Sequence, residues 1–476
     1  MLNYDTDIMI STKLAIDVLN EALSSGGDYA EIYFEDAIKG GVSIENTHVE
    51  SSSSIRSYGA GIRILKGFNS VYGFTSDLSR KSLIDLAHKL SCRFSGERIL
   101  TVKTIKNVKT RVVNKIDVHY DEVSINEKAD FCKEVAKTIL DVDPRIVMAY
   151  VGFYDSYKVI NIWNAEGEVG HHYKHVQERG RLSMNPIAKD GDSRQEFSHE
   201  PGKCAGWNYF KNELNWKELA IDAGKKAVAL LSAGECPQGK FDVVISNGWG
   251  GVVFHEACGH SLEASATAKH LSVFSDSLGK QIASPIVSAY DDGTIPNEWG
   301  SNDIDSEGVK TRKNQLIKDG ICVNFLVDKL NGRRLGMEPN GTSRRQDYCY
   351  EPTSRMSNTY IAPGKDNPED IIRDTKLGIY VANFGGGSVN PATGDFNFSA
   401  SEAYIIRDGK ICEMVKGCTL IGSGKEVLMN IDRVGNDLKL AEGICGAASG
   451  SIPVDVGQPT IRIKNLTVGG RGGELK

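Results

Sequence analysis

The chain has 476 residues, more than one hydrophobic core usually organises, so two or three domains are expected. Its composition is that of an ordinary globular protein, with 40% hydrophobic residues, 25% charged residues and a formal net charge of -6. No block of Lys or Arg forms a basic arm, and no run of about 18 apolar residues indicates a membrane span. We therefore expect neither nucleic acid nor a membrane as a partner.

Two features of the sequence predict a cytoplasmic protein. The N-terminus carries Asp5 and Asp7 before its apolar positions and lacks a small-residue cleavage site, so it does not resemble a signal peptide. The ten cysteines are scattered without a C-x-x-C pair. This pattern favours buried thiols over a disulfide framework, although one or two cysteines could be metal ligands.

Residues 1–105 predict an N-terminal α-β-β-β-α domain. Ser11 caps a helix whose apolar positions repeat at helical spacing until Gly26 and Gly27 end it. A second helix is predicted near SLIDLAHKL. Between the two helices, three segments alternate with the period of a strand: YAEIYFE, GVSIEN and GIRILKG.

Residues 106–232 predict a small antiparallel middle domain. Ser124 and Glu127 form a capping box before a helix, and short strands between turn signals follow from about 145 to 200. A helix at roughly 216–231 leads out of this domain.

Residues 233–476 predict a β-rich C-terminal domain. The segment FDVVIS is typical of a buried strand, NGWGG of a sharp turn and HEACGH of a helix, and strands with glycine-rich turns follow. The predicted fold class is therefore α+β. It combines an N-terminal α/β module, a small antiparallel middle domain and a β-rich C-terminal domain that carries a metal-binding helix.

Glycine-rich segments do not predict nucleotide binding, but one of them is a candidate for substrate contact. In YGAGIRI, Ile64 occupies the place of the third fingerprint glycine, and in GSGKEV, Glu426 replaces the Ser or Thr of a phosphate loop. In FGGGSVNPATGDF, Gly385, Gly386 and Gly387 predict a tight irregular loop whose backbone could approach a substrate closely. A plain turn is the alternative.

The segment GHHYKHVQERG carries a group of three histidines, His171, His172 and His175. In a strand, His171 and His175 would share one face. No carboxylate or cysteine stands with them at ligand spacing, so we expect solvated or locally hydrogen-bonded side chains.

HEACGH is the strongest candidate for chemistry. Its two histidines, His255 and His260, are five residues apart, which on a regular helix is roughly 140° of rotation and would point them to different sides. A π-bulge would bring them together, and so would a helix break at Gly259. Glu256 would then be the general base of a metal site. The alternative is a pair of structural histidines beside a surface carboxylate.

A catalytic zinc ion needs three protein ligands, so a third side chain must join the two histidines. Glu263 and Cys258 are the local candidates. Remote candidates are Cys412, Cys418 and Cys445. Spacing alone does not decide among these five residues.

Segments along nearly the whole chain resemble the TldD/PmbA family, and specifically its TldD-type metallopeptidase branch. They are GDYAEIYFED, GWGGVVFHEACGHSLEA, DDGTIPNEWGSNDIDSEG, RMSNTYI, FGGGSVNPATGDFNFSASEAYIIRDGK, TLIGSG and ICGAASGSIPVDVGQPTIRIKNLTVGG. The resemblance implies one zinc ion per chain, held by His255, His260 and Cys445. It also implies that Glu256 is the catalytic base.

The same resemblance implies an activity and a set of partners. Family members form homodimers, or heterodimers with a PmbA/TldE-like paralogue, that enclose the site and cleave unfolded or flexible peptides. The predicted function is thus that of a zinc-dependent peptidase, with its peptide substrate held by strand addition to an exposed sheet edge. The alternative is a non-catalytic peptide-binding or assembly partner of a peptidase complex.

Overall fold

The structure, a computed structural model, describes residues 10–390 and 392–473. Asp5 and Asp7, which support the expectation about a signal peptide, lie outside the described residues. No helix within the described ranges is both long and apolar enough to cross a lipid bilayer.

The described residues up to 231 form one eight-stranded sheet and the helices that pack on it. The strands are β1 (Tyr29–Glu45), β2 (His48–Lys66), β3 (Asn69–Thr75), β4 (Thr104–Val108), β5 (Ile146–Ala165), β6 (Val169–Asp190), β7 (Ser193–Glu196) and β8 (Gly202–Lys203). The helices are α1 (Thr12–Ala22), α2 (Arg80–Ser91), α3 (Ile125–Leu140) and α4 (Trp216–Leu231). The strand order is β3-β2-β1-β5-β6-β4, and β7 and β8 pair with β6.

Local sequence accounts for these four helices, and the predicted ones are confirmed. The Ser11 side chain accepts a hydrogen bond from the backbone N–H of Leu14, and Ser124 accepts one from Glu127. Each cap satisfies an N–H group that the first helical turn leaves unpaired. The apolar stripes of α1 and α3 face the sheet and form two separate core clusters with it.

The strands differ from the prediction. YAEIYFE and GVSIEN, predicted as two strands, lie in the single strand β1, because Gly40 and Gly41 do not form a turn. Their missing side chains make room instead: a Cβ at Gly40 would lie 2.8 Å from the Asp155 carboxylate, and one at Gly41 would lie 3.0 Å from the Tyr154 ring.

The middle region also departs from the predicted small sheet of short strands. Its two long strands, β5 and β6, pair with each other, and residues 150–165 of β5 pair with β1. The N-terminal and middle regions therefore share one sheet. The boundaries after residues 105 and 232 stay predictions.

The C-terminal region is rich in strands, as predicted. They are β9 (Gly234–Glu235), β10 (Gly239–Ile245), β11 (Ala289–Asp292), β12 (Lys313–Lys318), β13 (Ile321–Cys322), β14 (Ser343–Arg344), β15 (Thr353–Ser354), β16 (Asn358–Ile361), β17 (Leu377–Val389), β18 (Asp395–Arg407), β19 (Lys410–Lys416), β20 (Thr419–Ser423), β21 (Ile431–Val434), β22 (Lys439–Ala447), β23 (Gly450–Gln458) and β24 (Ile461–Gly469). The helices are α5 (Val252–Phe254), α6 (Ala264–Thr267), α7 (Lys329–Leu335), α8 (Pro368–Arg373) and α9 (Gly424–Met429).

Two sheets hold the C-terminal region together. In the first, β17, β10, β24, β20 and β18 pair in that order, and β18 pairs back with β17, so these five strands close a ring. The second has the order β13-β12-β11-β16-β23-β22, which leaves β22 at its edge. Side chains of both sheets form one hydrophobic core, and residues of α5 and of the turns after it belong to that core.

Buried ion pairs join the N-terminal sheet to the C-terminal region. Arg63 on β2 donates to Glu307 at 2.5 Å and to Glu351 at 2.9 Å. Arg345 pairs with Glu31 on β1, and both side chains are fully buried. Glu351 is partly exposed, but water does not reach the other four charges, so each of these depends on its partner for compensation.

Removing one member of these pairs tests this account. Arg63→Ala should lower the free energy of unfolding by about 3–5 kcal/mol, because Glu307 would stay buried without a partner. Arg80→Ala, which removes an exposed ion pair with Asp17, is the control and should cost at most about 1 kcal/mol. Urea denaturation followed by circular dichroism measures both changes. Equally small effects would contradict the role given to Arg63.

Candidate metal centre

The HEACGH segment is helical, and its central turn is a π turn. After α5, the backbone N–H of His260 donates to the carbonyl of His255, five residues earlier, and a tighter 3-10 turn follows over His260–Leu262. The wider turn places both imidazoles on the same side, with ring centroids 5.0 Å apart. Of the two local structures that the spacing allows, the chain adopts the π turn and not the helix break.

Gly259 lies inside this π turn, where a side chain has no room. A Cβ at Gly259 would lie 2.1 Å from the sulfur of Met356, which is itself buried. Gly259 thus lets Met356 pack directly against the turn that carries the histidines.

Cys445 reaches both histidines from the edge strand β22. Its Sγ lies 3.3 Å from His255 Nε2 and 3.2 Å from His260 Nε2. The ligand atoms of the three residues all lie within 4.8 Å of one another. Within the described part of the chain, this is the one group of three or more His, Cys, Asp or Glu side chains that is close enough to hold a metal ion.

The three side chains of the group influence one another's protonation. Burial raises the pKa of the Cys445 thiol, but His255 and His260 outweigh burial and lower that pKa to about 3. Burial lowers the pKa of His260, but Glu263 and Cys445 outweigh it and hold this pKa well above its usual value. Cys445 is therefore a thiolate, the form of cysteine that binds metals.

The donor set and its spacing fit zinc. Two imidazole nitrogens and one thiolate are typical zinc ligands, and three protein ligands leave a fourth position open. Zinc–ligand bonds of about 2.0–2.3 Å at tetrahedral angles place a sulfur and a nitrogen ligand about 3.5 Å apart. The two observed Sγ to Nε2 distances of 3.2 and 3.3 Å are close to that value.

Two further residues hold these side chains in place. His260 Nδ1 donates to Glu263 at 3.1 Å, on the side of the ring opposite Cys445. Arg355 is fully buried and donates to the backbone carbonyl of Cys445 at 2.6 Å and to that of Gly450 at 3.0 Å. Arg355 was not predicted as a site residue, although it opens the segment RMSNTYI. Glu263, one of the candidate ligands, lies behind His260 as a hydrogen-bond acceptor.

The other candidate cysteines lie elsewhere. Cys258 and Cys418 are buried in the hydrophobic core of the C-terminal region, and Cys412 is exposed on β19. The structure therefore distinguishes among cysteines that spacing could not separate.

The histidines of GHHYKHVQERG do not join the group. His172 stacks on Trp163 with ring centroids 4.5 Å apart, and its Nε2 contacts the Asn161 side chain at 2.9 Å. His175 Nδ1 donates to Asp303 at 3.1 Å. The predicted local hydrogen bonding is thus confirmed for two of the three.

A cleft of about 980 Å³ opens beside the three residues. We call it the main cleft, and Glu256, His260 and Cys445 line it. The Glu256 carboxylate lies 3.7 Å from His260 Nε2, and the Glu256 side chain is 21% exposed. The carboxylate can therefore contact both a ligand in the cleft and a group bound at the histidines.

The glycine segment differs from its prediction. Gly385, Gly386 and Gly387 lie in strand β17, where Gly386 and Gly387 pair with β18 and Gly385 falls at a register shift, so they do not form the expected loop. Bulged pairing of this kind follows from glycine, which gives a strand little to pack. Gly387 lines the main cleft, whereas Gly385 and Gly386 do not.

Three family profiles of the PmbA/TldA metallopeptidases match the chain. They are domain 1 over residues 30–91, the central domain over 118–231 and the C-terminal domain over 238–470. Together they reproduce a three-domain architecture over most of the sequence.

Relatives and solved structures agree with these profiles. A metalloprotease TldD homolog from Buchnera aphidicola is 35% identical over 98% of this chain and 96% of its own. A zinc metalloprotease TldD homolog from Saccharolobus solfataricus is 24% identical over 95% of this chain and 99% of its own. The structure of TldE from Thermococcus kodakarensis has a TM-score of 0.73 at 18% identity and covers 96% of this chain and 100% of that one.

Gly259→Ala tests the packing that supports the π turn. The added methyl group would collide with Met356, so we expect the variant to bind zinc at least about tenfold more weakly, a change of about 1.4 kcal/mol. Gly167→Ala, where a Cβ meets nothing within 4 Å, is the control. Zinc affinity is measured by competition with a chelator. Unchanged affinity in Gly259→Ala would contradict the proposed constraint.

Proposed function

The chain belongs to the PmbA/TldD family of metallopeptidases, and from this premise we propose that it is a zinc-dependent peptidase of unfolded or flexible peptides. His255, His260 and Cys445 would hold the zinc ion, and Glu256 would be the catalytic base. One observation carries the proposal. The Cys445 sulfur contacts both imidazoles at the wall of a cleft that also contains the Glu256 carboxylate.

The chemistry divides between the metal and the chain. Bound zinc supplies Lewis acidity, which polarises the scissile carbonyl and makes water reactive near neutral pH. Glu256 accepts a proton from the attacking water and transfers it to the amine nitrogen as the C–N bond breaks. The water oxygen thus ends in the new carboxyl group, and the new amine receives the proton.

The neighbouring residues would keep the ligands in a fixed geometry. Glu263 orients His260 through Nδ1, so that Nε2 points towards Cys445. Arg355 holds the backbone of Cys445 and lies 3.8 Å from Glu263, so it links the two supporting contacts. Such outer contacts tune metal affinity in zinc proteins generally.

Strand β17 gives an extended peptide an edge to pair with. It pairs with β10 only over Gly378–Val381, whereas its other side pairs with β18 as far as Val389. Among the described residues, 385–389 therefore have one edge without a strand partner, and 387–389 line the main cleft. Pairing through backbone groups would give weak selectivity for side chains.

We also propose that the main cleft is enclosed by a second chain, either another copy or a PmbA/TldE-like paralogue. The shared fold of the solved TldE structure supports such a pairing. A thiolate ligand oxidises readily, which fits action in the reducing cytoplasm.

Glu256→Gln is the direct test of the peptidase. The variant keeps the ligands but cannot accept a proton, so zinc should stay at one ion per chain while kcat/KM for a mixture of unstructured peptides falls by about 10² to 10⁴. Cys445→Ser is the matched variant and should lose zinc as well as activity. Peptide binding without cleavage in the wild-type protein would instead support the non-catalytic partner.

Two glycine variants test the β17 edge. A methyl group at Gly387 would lie 2.0 Å from the Phe398 ring and displace the strand, whereas at Gly385 the nearest atom is 3.7 Å away. We expect Gly387→Ala to raise KM for peptides by about tenfold with unchanged zinc content, and Gly385→Ala to behave like the wild type. Equal KM values in all three proteins would exclude this edge as the peptide site.

A further inference from the structure

A second cavity, of about 330 Å³, lies between the N-terminal sheet and the hairpin that carries Cys445. We call it the basic pocket. One wall is a single face of the N-terminal sheet, where its residues alternate along three strands: Tyr33 and Lys39 on β1, Ser156, Lys158, Ile160 and Ile162 on β5, and His175, Gln177 and Arg179 on β6. The opposite wall includes Arg344 and Arg345 together with Ile444 and Ile452 of the hairpin.

The register of the sheet concentrates positive charge in this pocket. Ser156 pairs with Lys39 on one side and with Arg179 on the other, so these three residues form one cross-strand row. Lys158 lies two residues along β5 on the same face. Lysine and arginine therefore approach a shared space from neighbouring strands.

Carboxylates balance only part of this charge. Arg345 and Lys158 pair with Glu31 and Glu35. Arg179 and Arg344 are buried and have no carboxylate within 4 Å in the described part of the chain; they donate instead to backbone carbonyls and amide side chains.

One carboxylate, that of Asp305, lines the pocket. Its two oxygens already accept the backbone N–H groups of Glu307, Val309 and Ser343. Asp305 therefore has little capacity left for the arginines. Buried charge without an opposite partner is costly, and an anion in the pocket would remove that cost.

Two buried polar atoms, in residues that line the pocket, have no hydrogen-bond partner. His175 is 4% exposed, and its Nε2 forms no hydrogen bond although its Nδ1 is held by Asp303. The Arg345 side chain is fully buried, and its Nε is also unpaired. A buried donor normally has an acceptor, so the unpaired Arg345 Nε–H indicates a ligand with an acceptor oxygen. With Nδ1 donating to Asp303, His175 Nε2 is an acceptor in the neutral ring and can take a proton from a bound group.

We propose that the basic pocket binds a carboxylate of the peptide substrate, either its C-terminus or an Asp or Glu side chain. Ile444 lines both the main cleft and the basic pocket, and it precedes Cys445 in the chain. A peptide that passes the proposed metal centre can therefore place a nearby carboxylate beside Arg179 and Lys39. This inference rests on the proposed peptidase, and it adds a preference for acidic peptides that pairing at β17 cannot provide.

The test measures binding without turnover in the full-length Glu256→Gln protein. The probes are fluorescent unstructured peptides with a single Glu at each position in turn, their Gln counterparts, and each with a free or an amidated C-terminus. Removal of at least one of these carboxylates should weaken peptide binding by about tenfold. The Gln peptides identify a side-chain carboxylate, and the amides identify the C-terminus.

Variants of the pocket locate the effect. Arg179→Gln should abolish the preference for the carboxylate. Lys39→Gln should weaken that preference about threefold, and this variant should fold normally because Lys39 is exposed. Lys174→Gln is the control, because Lys174 is exposed on β6 and does not line the pocket. Thermal denaturation checks that each variant is folded.

Three outcomes decide the matter. Equal binding of carboxylate, Gln and amide peptides, or equal effects of Lys39→Gln and Lys174→Gln, would overturn the proposal. Peptide binding that shows no carboxylate preference but falls when inorganic phosphate is added would overturn it in favour of a small free anion. A carboxylate preference without any cleavage by the wild-type protein would support the pocket and contradict the peptidase.

Discussion

The contact between the Cys445 sulfur and the two imidazoles is the constraint on which the rest of the C-terminal region depends. It joins residues 190 and 185 positions apart in the sequence, so neither partner can form the group by local folding. The closed ring of strands positions the helical segment that follows β10, and the second sheet positions β22 at its edge. The two sheets must therefore dock in one way for the group to form.

Close backbone approach sets the distance between these two elements. A Cβ at Gly251 would lie 2.3 Å from the backbone nitrogen of Gly457 on β23, so the turn before the histidines packs directly on the strand beside Cys445. Gly259 allows a similar approach by Met356. Arg355, which precedes Met356 in the chain, donates a hydrogen bond to the Cys445 carbonyl. Glycine at these positions serves packing between elements, not flexibility.

Much of the fold and of the candidate metal centre could be predicted from the sequence, and the parts that could not be predicted have physical causes. Helices were predictable because caps and apolar stripes are local signals. The five-residue spacing of the histidines implied an unusual turn, but Met356, which packs against Gly259 in that turn, comes from almost a hundred residues away. Spacing left the third ligand open, and the resemblance to a family indicated Cys445. Gly40 and Gly41 resemble a turn in sequence, yet their neighbours on β5 keep them in a strand.

X-ray absorption spectroscopy at the zinc edge tests the central claim most directly, because it reports the ligand atoms without reference to activity. If His255, His260 and Cys445 hold the metal, the first shell contains one sulfur at about 2.3 Å and nitrogen or oxygen ligands at about 2.0–2.1 Å. Cys445→Ser should remove the sulfur component. A shell of nitrogen and oxygen alone in the wild-type protein, or a sulfur that persists in Cys445→Ser, would contradict the account.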